Sequence, residues 1–215
     1  MIVVIGNPRR VFGSEPGVGG TPALAAIAAV RAGAKVELVG KLGDDAPGDE
    51  VVIALGRQGV GHAALLRDPG HRTRVETVAA TDEPAPFGEE TDSREMSAPE
   101  PVEASDSPVL EPEDVQLALR YLPDIRAIVV AEPLPEDVLA AVQEAASYVA
   151  APIVVVADAA SSPEVDLVLA APPTDPDGAF AELLGQVGAA IDRGVAVDEA
   201  FREVSATLGV TPVSP

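Results

Sequence analysis

The chain is poor in the residue types that carry thiol and stacking chemistry. It has no cysteine and no tryptophan, and aromatic residues make up only 3% of its 215 residues. The lack of cysteine excludes disulfides and thiolate catalysis. The scarcity of aromatic residues argues against the stacking platforms that bind single-stranded nucleic acid. We therefore expect an aliphatic, tightly layered core.

Basic residues are scarce as well. The chain has 14 Lys and Arg against 35 Asp and Glu, which gives a formal net charge of −21. A polyanionic partner is repelled by such a chain at long range, so we expect no nucleic-acid partner. The sequence also has no long apolar run and no leader-like start, which predicts a cytoplasmic protein without a membrane partner.

What the chain does have is an alternation of short apolar runs and helical patterns. Strands are predicted at 2–6, 35–40, 62–68, 127–132, 152–158 and 166–172, with helices between most of them and two at the end. Such an alternation builds a parallel sheet with right-handed crossovers. The predicted fold class is therefore α/β, with three α/β/α layers, a mainly parallel sheet and a single domain over residues 1–215.

Residues 81–112 interrupt this pattern. The segment is dense in proline and acidic residues, and Arg94 is its only base. Its apolar content is too low to offset the entropy of ordering it. We predict a long mobile loop within the domain, and a weak affinity of this loop for a cationic partner is the alternative.

The turn that enters the first long helix is a candidate substrate-binding element. Gly19 and Gly20 precede Thr21 and Pro22. Glycines allow a close backbone approach, and a helix start offers free N–H groups to a polar or anionic ligand. An ordinary strand-to-helix turn has the same composition, so both interpretations stay open at this point.

The wider spacing around this turn resembles the first signature of the ribokinase-like carbohydrate and nucleoside kinase family. Small residues fall at the intervals of that signature, namely Gly19, Gly20, Pro22, Ala26, Gly33 and Gly43. Residues 110–145 resemble the central helix, strand and helix of the family. The resemblance implies binding of a sugar or nucleoside at the paired glycines. Leu24 stands where the family has an Asn that helps to hold the sugar, and Leu cannot make those hydrogen bonds.

The catalytic motif implied by the resemblance is altered. The family carries Gly-Ala-Gly-Asp at a helix start, where N–H groups form an anion hole and the Asp acts as base. The matching stretch runs from Thr174 to Gly185, with Asp177 as the candidate catalytic residue and Gly178 and Ala179 as candidate cofactor-binding residues. An N-cap role for Asp177 is the alternative. A second alignment sets residues 167–185 against a mid-chain motif that serves the metal-bound phosphates, with Asp175 and Asp177 where polar residues are needed but prolines in place of the motif itself.

The resemblance also implies pieces that this chain lacks. Relatives are longer, and between the first strand and the paired glycines they carry an acidic substrate ligand and lid strands. Only twelve residues separate Gly6 from Gly19 here, and Arg10 lies near the position of the acid. We therefore expect the lid strands to be missing.

No metal site is predicted. Asp44 and Asp45 have the chemistry of Mg²⁺ ligands, but capping of the helix that follows is the simpler explanation, because Asp is among the best N-cap residues. His62 and His71 are the only histidines, and without cysteine they do not make a zinc pattern.

The leading functional hypothesis is a degenerate family member, without catalysis or with weak catalysis, that binds a small metabolite or a protein partner. The alternative is a working sugar or nucleoside kinase, for which the resemblance implies ATP and Mg²⁺ as cofactors. A third possibility is a structural module that forms a homodimer through a surface left bare by the missing pieces.

Overall fold

A six-stranded parallel sheet forms the centre of the molecule. The structure is a computed structural model that describes residues 1–13, 17–77, 106–157 and 165–209. The strand order in this sheet is β5-β4-β1-β7-β8-β9. These strands are β1 (Ile2–Ile5), β4 (Val36–Gly43), β5 (Leu65–Asp68), β7 (Ala127–Val130), β8 (Ile153–Ala157) and β9 (Leu167–Ala170).

In the described part of the chain, six helices flank the sheet or pack on those that do. They are α1 (Thr21–Arg31), α2 (Ala46–Arg57), α3 (Pro112–Tyr121), α4 (Glu136–Val149), α5 (Ala179–Asp192) and α6 (Val197–Leu208). Helices α1 and α5 belong to the core on one face of the sheet, and α3 and α4 belong to the core on the other. The predicted fold class, three α/β/α layers around a mainly parallel sheet, is confirmed.

The central strands are buried on both faces, as their continuous β-branched runs predict. Ile2 of β1 is paired with Val36 of β4 on one side and with Ala127 of β7 on the other. All four residues of β1 and of β7 are buried. Parallel strands covered by helices on both faces have this uniform apolar character.

Small residues let α1 and α5 approach closely. A Cβ built on Gly185 of α5 would lie 2.6 Å from Cβ of Ala28 and 2.7 Å from the backbone nitrogen of Ala29. Real side chains do not tolerate such distances, so this helix contact requires glycine. The two helices therefore pack closely through small residues, which fits the aliphatic core expected from the scarcity of aromatic residues.

A second sheet corrects one sequence-based expectation. Strands β2 (Arg9–Phe12), β3 (Val18–Gly19) and β6 (Val75–Thr77) form a three-stranded sheet in the order β3-β2-β6. The expectation that strands are missing at this end is therefore wrong. Two of these strands have only two or three residues, and β6 joins from a distant part of the sequence, so no local pattern indicates them.

The predicted acidic loop falls mostly outside the described residues. Residues 78–105 are not described, and α3 begins at Pro112, the last residue of the predicted loop. Within the described ranges, every helix is too short or too polar to cross a bilayer.

Candidate functional site

Polar side chains gather at the carboxyl ends of three neighbouring strands. Asn7 follows β1, Lys41 lies near the end of β4, and Glu132 follows β7. Ligands of open parallel sheets bind at this edge, because the strands end there and the connecting loops diverge. The topology therefore marks the β1, β4 and β7 ends as a candidate site.

Asn7 connects these three strand ends. Its backbone N–H donates to Oε1 of Glu132 at 2.7 Å, and its side-chain Oδ1 accepts from the backbone N–H of Lys41 at 2.7 Å. Its Nδ2 donates to the carbonyl oxygen of Pro108 at 2.8 Å. Asn7 thus links the groups around the site through its side chain and its own backbone N–H.

Glu132 is largely buried beside the first strand. Burial raises the pKa of its carboxyl, although the N–H of Asn7 and the charges of Arg9 and Arg74 act in the opposite direction. Gly6 makes room for this side chain, since a Cβ there would lie 3.1 Å from Cδ of Glu132 and 2.5 Å from Cγ of Pro22. Gly6 also has a φ of 143°, which other residues rarely adopt.

These groups line a cavity of about 250 Å³ that we name the cationic cavity. Its charged and amide-bearing lining residues are Asn7, Arg9, Lys41, Arg74 and Glu132. Gly20, Thr21 and Pro22, at the start of α1, form another part of its wall. The cavity therefore combines three basic side chains with one buried carboxyl group, in a chain whose formal net charge is −21.

The three basic groups differ in how far they are already paired. Lys41 Nζ lies 2.6 Å from Oδ2 of Asp114 and 3.2 Å from Oε2 of Glu111. Burial lowers the pKa of Lys41, but these hydrogen bonds and charges outweigh it and leave the pKa above its usual value. Arg9 is ion-paired with Glu76, and Arg74 lies 3.8 Å from the same carboxylate.

A second cavity of about 460 Å³ lies beside the first, and we name it the α5 cleft. Its lining includes Gly19, Gly20, Leu24, Asp175, Asp177, Gly178 and Glu182. The two cavities share Arg9 and Gly20. The α5 cleft brings together four of the five candidate residues of the sequence analysis. Ala179, the fifth, is the first residue of α5 and is exposed.

The start of α5 is capped from within the chain. The backbone N–H of Phe180 donates to Oδ1 of Asp175 at 3.0 Å, and that of Ala181 donates to Oδ2 at 3.1 Å. Gly178 is the N-cap residue, with a φ of 69° and no side chain to accept a bond. The N-cap alternative for Asp177 is therefore wrong, because the turn at Gly178 places the carboxylate of Asp175 against the N–H groups.

Asp177 is exposed at the mouth of the α5 cleft. Among the described residues, none forms a hydrogen bond or ion pair with its carboxylate. Leu24 faces Gly178 across the cleft, and a Cβ on Gly178 would lie 3.9 Å from its Cδ1. The roles proposed for Asp177, Gly178 and Ala179 remain predictions.

Arg10, near the expected position of an acidic substrate ligand, has a structural role. Its Nε pairs with Oε2 of Glu50 on α2, and its NH1 donates to the carbonyl oxygens of Val11 and Gly17. It lines neither cavity, whereas the neighbouring Arg9 lines both.

Asp45 caps α2, as the simpler interpretation of the acidic pair predicted. Its carboxylate accepts from the N–H of Gly48, and from both the N–H and the hydroxyl of Thr73. Burial raises the pKa of Asp45, but these hydrogen bonds outweigh it, so the pKa lies below its usual value. The described residues contain no group of three or more His, Asp or Glu arranged to hold a metal.

Sequence reasoning missed the polar lining of the cationic cavity, namely Asn7, Arg9, Lys41, Arg74 and Glu132. Asn7 and Glu132 carry a detectable signal, because each is a polar residue that follows a buried parallel strand after one intervening residue. Arg74 carries none, because its place depends on the pairing of β6 with β2 across 65 positions of sequence, as in Arg10 with Val75.

The comparisons with known proteins agree with this geometry at the level of family and fold. The sequence profile of pfkB family carbohydrate kinases matches residues 5–175. No curated protein matches the chain in sequence. Solved structures with similar folds include a PfkB protein from Polaromonas sp. JS666, which is 14% identical with a TM-score of 0.63, the match covering 98% of this chain and 96% of that one.

Two further neighbours are described by their ligands or substrates. Ribokinase from Arabidopsis thaliana, complexed with ribose and ATP, is 15% identical with a TM-score of 0.61, over 96% of this chain and 90% of its own. Aminoimidazole riboside kinase from Salmonella enterica is 13% identical with a TM-score of 0.62, over 100% and 94%. At such identities the likeness shows the fold alone.

Proposed function

Because the chain belongs to the pfkB family of carbohydrate kinases, we propose that it binds a small hydroxylated metabolite in the cationic cavity and transfers phosphate weakly or not at all. The proposed weakness or absence of phosphate transfer rests on the hydrogen bonds at the start of α5. Two of its N–H groups donate to the carboxylate of Asp175 and are not free for a phosphate.

Phosphoryl transfer depends on donors that are preorganised for the developing negative charge. In the α5 cleft, Asp175 places a negative charge at the helix start, where a phosphate would need positive potential. Asp177, Glu182 and Glu76 add three more carboxylates to the lining, against Arg9 and Arg31. This excess of negative charge opposes the binding of a nucleoside triphosphate.

The first half of the proposal is supported by the polar groups of the cationic cavity. Glu132 accepts one hydrogen bond from Asn7 through Oε1, and its carboxyl group lines the cavity. A carboxyl group can bond sugar hydroxyls as an acceptor, or as both donor and acceptor when protonated. Leu24, by contrast, offers no hydrogen bond to a sugar in the α5 cleft.

A working kinase is the second candidate function. It is favoured by the convergence of Gly19, Gly20, Asp177 and Gly178 in one cleft beside the cationic cavity. On this hypothesis Asp177 removes the proton of a sugar or nucleoside hydroxyl, and ATP and Mg²⁺ are required. The ribose and ATP bound by the Arabidopsis ribokinase suggest the ligands to test.

Product analysis separates the two candidates. The chain is incubated with ATP, Mg²⁺ and ribose, fructose or a riboside, and phosphorylated products are measured by mass spectrometry next to the variants Asp177→Asn and Glu182→Gln. We expect a yield that is equally low in all three proteins, together with calorimetric binding of at least one sugar. A yield that disappears only in Asp177→Asn overturns the non-catalytic proposal and establishes the kinase.

A further inference from the structure

We propose that a groove between α3 and α4 is a docking surface for an amphipathic helix of another protein, a helix with an apolar face and basic flanks. We name it the α3–α4 groove, and its volume is about 1240 Å³. Both helices line it, together with residues 122–125, which lead into β7. Among the described residues, the groove and the cationic cavity share no lining residue. The inference is therefore independent of the proposed function.

The first argument is the spacing of the side chains along the two helices. The residues of α3 that line the groove are Glu113, Gln116, Leu117 and Arg120. Those of α4 begin with Ala141, Glu144, Ala145 and Tyr148. Both sets follow the intervals i, i+3, i+4 and i+7, which form the stripe that a helix presents to a neighbouring element. Each stripe is about 10 Å long, or two helical turns. The two walls thus have the form that receives a third helix.

The second argument is the apolar surface that the groove exposes. Leu117 of α3 is 50% exposed and Tyr148 of α4 is 92% exposed. The same groove is lined by the buried side chains of Ile125 and Ile128. Exposed apolar side chains that adjoin a buried apolar floor mark an interaction surface, and tyrosine is enriched in such surfaces. The groove therefore has the composition of a protein-binding site.

The third argument is the uneven helix cover of the central sheet. In the described part of the chain, the core on one face of the sheet includes residues of four helices, α1, α2, α5 and α6. The core on the other face includes residues of α3 and α4 alone. The face that carries the groove therefore has room for a further helix.

The charges around the groove determine the chemistry of the partner. Glu113, Asp124 and Glu144 line it against Arg120, and the whole chain has a formal net charge of −21. A second copy of the chain would bring the same excess of acid to the interface and would be repelled. Lysines or arginines on either side of an apolar stripe would be attracted. The charge complementarity thus favours a basic helix over a second copy.

Binding of designed peptides tests the inference. The striped peptide is a helix of about 18 residues of Leu, Lys and Ala, long enough to form a helix, with its leucines at i, i+3, i+4 and i+7 and one Trp among them. The chain has no tryptophan, so the fluorescence of the peptide reports its own burial. The rearranged peptide has the same composition and charge, but its leucines form no stripe. We expect the striped peptide to bind at least about tenfold more tightly, with a blue-shifted emission.

A third peptide tests the charge preference. It has Glu in place of every Lys of the striped peptide. We expect it to bind about tenfold more weakly than the striped peptide, and raised salt should narrow the difference. Equal affinity of the two peptides overturns the choice of a basic partner.

Substitutions attribute the binding to the groove. Leu117→Gln and Tyr148→Gln should each weaken binding of the striped peptide by about tenfold. Ile53→Gln is the matched control, because Ile53 on α2 is 54% exposed and does not line the groove. Glu144→Gln should weaken binding by about threefold at low salt, and Glu203→Gln on α6 should leave it unchanged. Thermal melting confirms that all variants are folded.

The remaining outcomes also decide the matter. Equal affinity for the striped and rearranged peptides overturns the inference, because the net charge of the chain then explains the binding. Absence of binding overturns it, and so does an equal loss of affinity in Ile53→Gln and Leu117→Gln. A dimer of the unchanged chain in sedimentation that Leu117→Gln dissociates assigns the groove to a second copy and overturns the inference too. Sugar binding at the cationic cavity is measured separately and is not affected by any of these results.

Discussion

The cationic cavity and the α5 cleft lie side by side and share Arg9 and Gly20, yet their polar groups are used in opposite ways. At the cationic cavity, Arg74 is paired only at long range and the carboxyl group of Glu132 lines the space. At the α5 cleft, the helix N–H groups already bond Asp175. The polar groups of the cationic cavity are thus available to a ligand, whereas the helix N–H groups at the α5 cleft are bonded within the chain.

Under the proposed function, the family fold keeps one binding region while a neighbouring one has lost its chemistry. The start of a helix attracts anions only while its N–H groups are free. A carboxylate from the same chain occupies them at no cost of association, so an external phosphate has to displace it. Three substitutions test the difference between the two regions.

The largest effect on stability is expected from Gly185→Ala, which disrupts the packing of α5, the helix beside the α5 cleft, against α1. The new Cβ would lie 2.6 Å from Cβ of Ala28, so α1 and α5 must move apart. Overpacking of this kind costs about 3 kcal/mol of unfolding free energy, measured by urea denaturation.

Gly56→Ala is the control for this change. Gly56 is exposed near the end of α2, and its Cβ would meet only His62, at 3.5 Å. Replacing it should stabilise the chain by about 0.5–1 kcal/mol, because alanine is the better helix former. Equal changes in the unfolding free energy for the two substitutions would contradict the close contact of α1 and α5.

An intermediate effect is expected from Asp45→Ala, which loosens the side of the cationic cavity. Asp45 bonds Thr73, the residue before Arg74, and caps α2 through Gly48. Loss of these charge-assisted bonds should lower the unfolding free energy by about 2 kcal/mol at neutral pH. Asp44→Ala, at the exposed neighbouring position, should change it by less than about 0.5 kcal/mol.

The contribution of Asp45 should also depend on pH in a defined direction. The folded pKa lies below the usual value of 3.8, so the carboxylate stabilises the fold above that value. The stabilisation is lost as the pH falls through the folded pKa. The difference between the unchanged chain and Asp45→Ala should therefore shrink on acidification below about pH 4. A difference that grows on acidification contradicts this assignment.

The smallest effect on stability is expected from Asp175→Ala, which tests directly whether the cap of α5 excludes a phosphate. Removing the cap of α5 should cost about 1 kcal/mol of unfolding free energy. It should also make weak binding of Mg·ATP detectable by calorimetry, because the N–H groups of Phe180 and Ala181 become free. Asp177→Ala is the control and should change stability by less than about 0.5 kcal/mol. A larger cost for Asp177→Ala than for Asp175→Ala would reverse the two roles.

Much of the site region could be predicted from the sequence, but its detailed chemistry could not. The paired glycines and the Asp177 stretch were identified from motif spacing, and the fold brings them into one cleft. The cap of α5 was assigned to the wrong aspartate. A carboxylate two positions farther from the helix accepts from the N–H groups, across a turn in which Gly178 has a positive φ.

The α/β class, the order of the main strands and helices and the aliphatic core could all be predicted from the sequence, because they depend on local periodicity. Which polar groups lie next to one another depends on the tertiary fold. Asn7, Lys41 and Glu132 are far apart along the chain and become neighbours through the pairing of β1 with β4 and β7. Arg74 reaches the same cavity through the pairing of β6 with β2. Parallel pairing joins segments that are distant in sequence. The sequence of one strand alone does not indicate which other strand it will pair with.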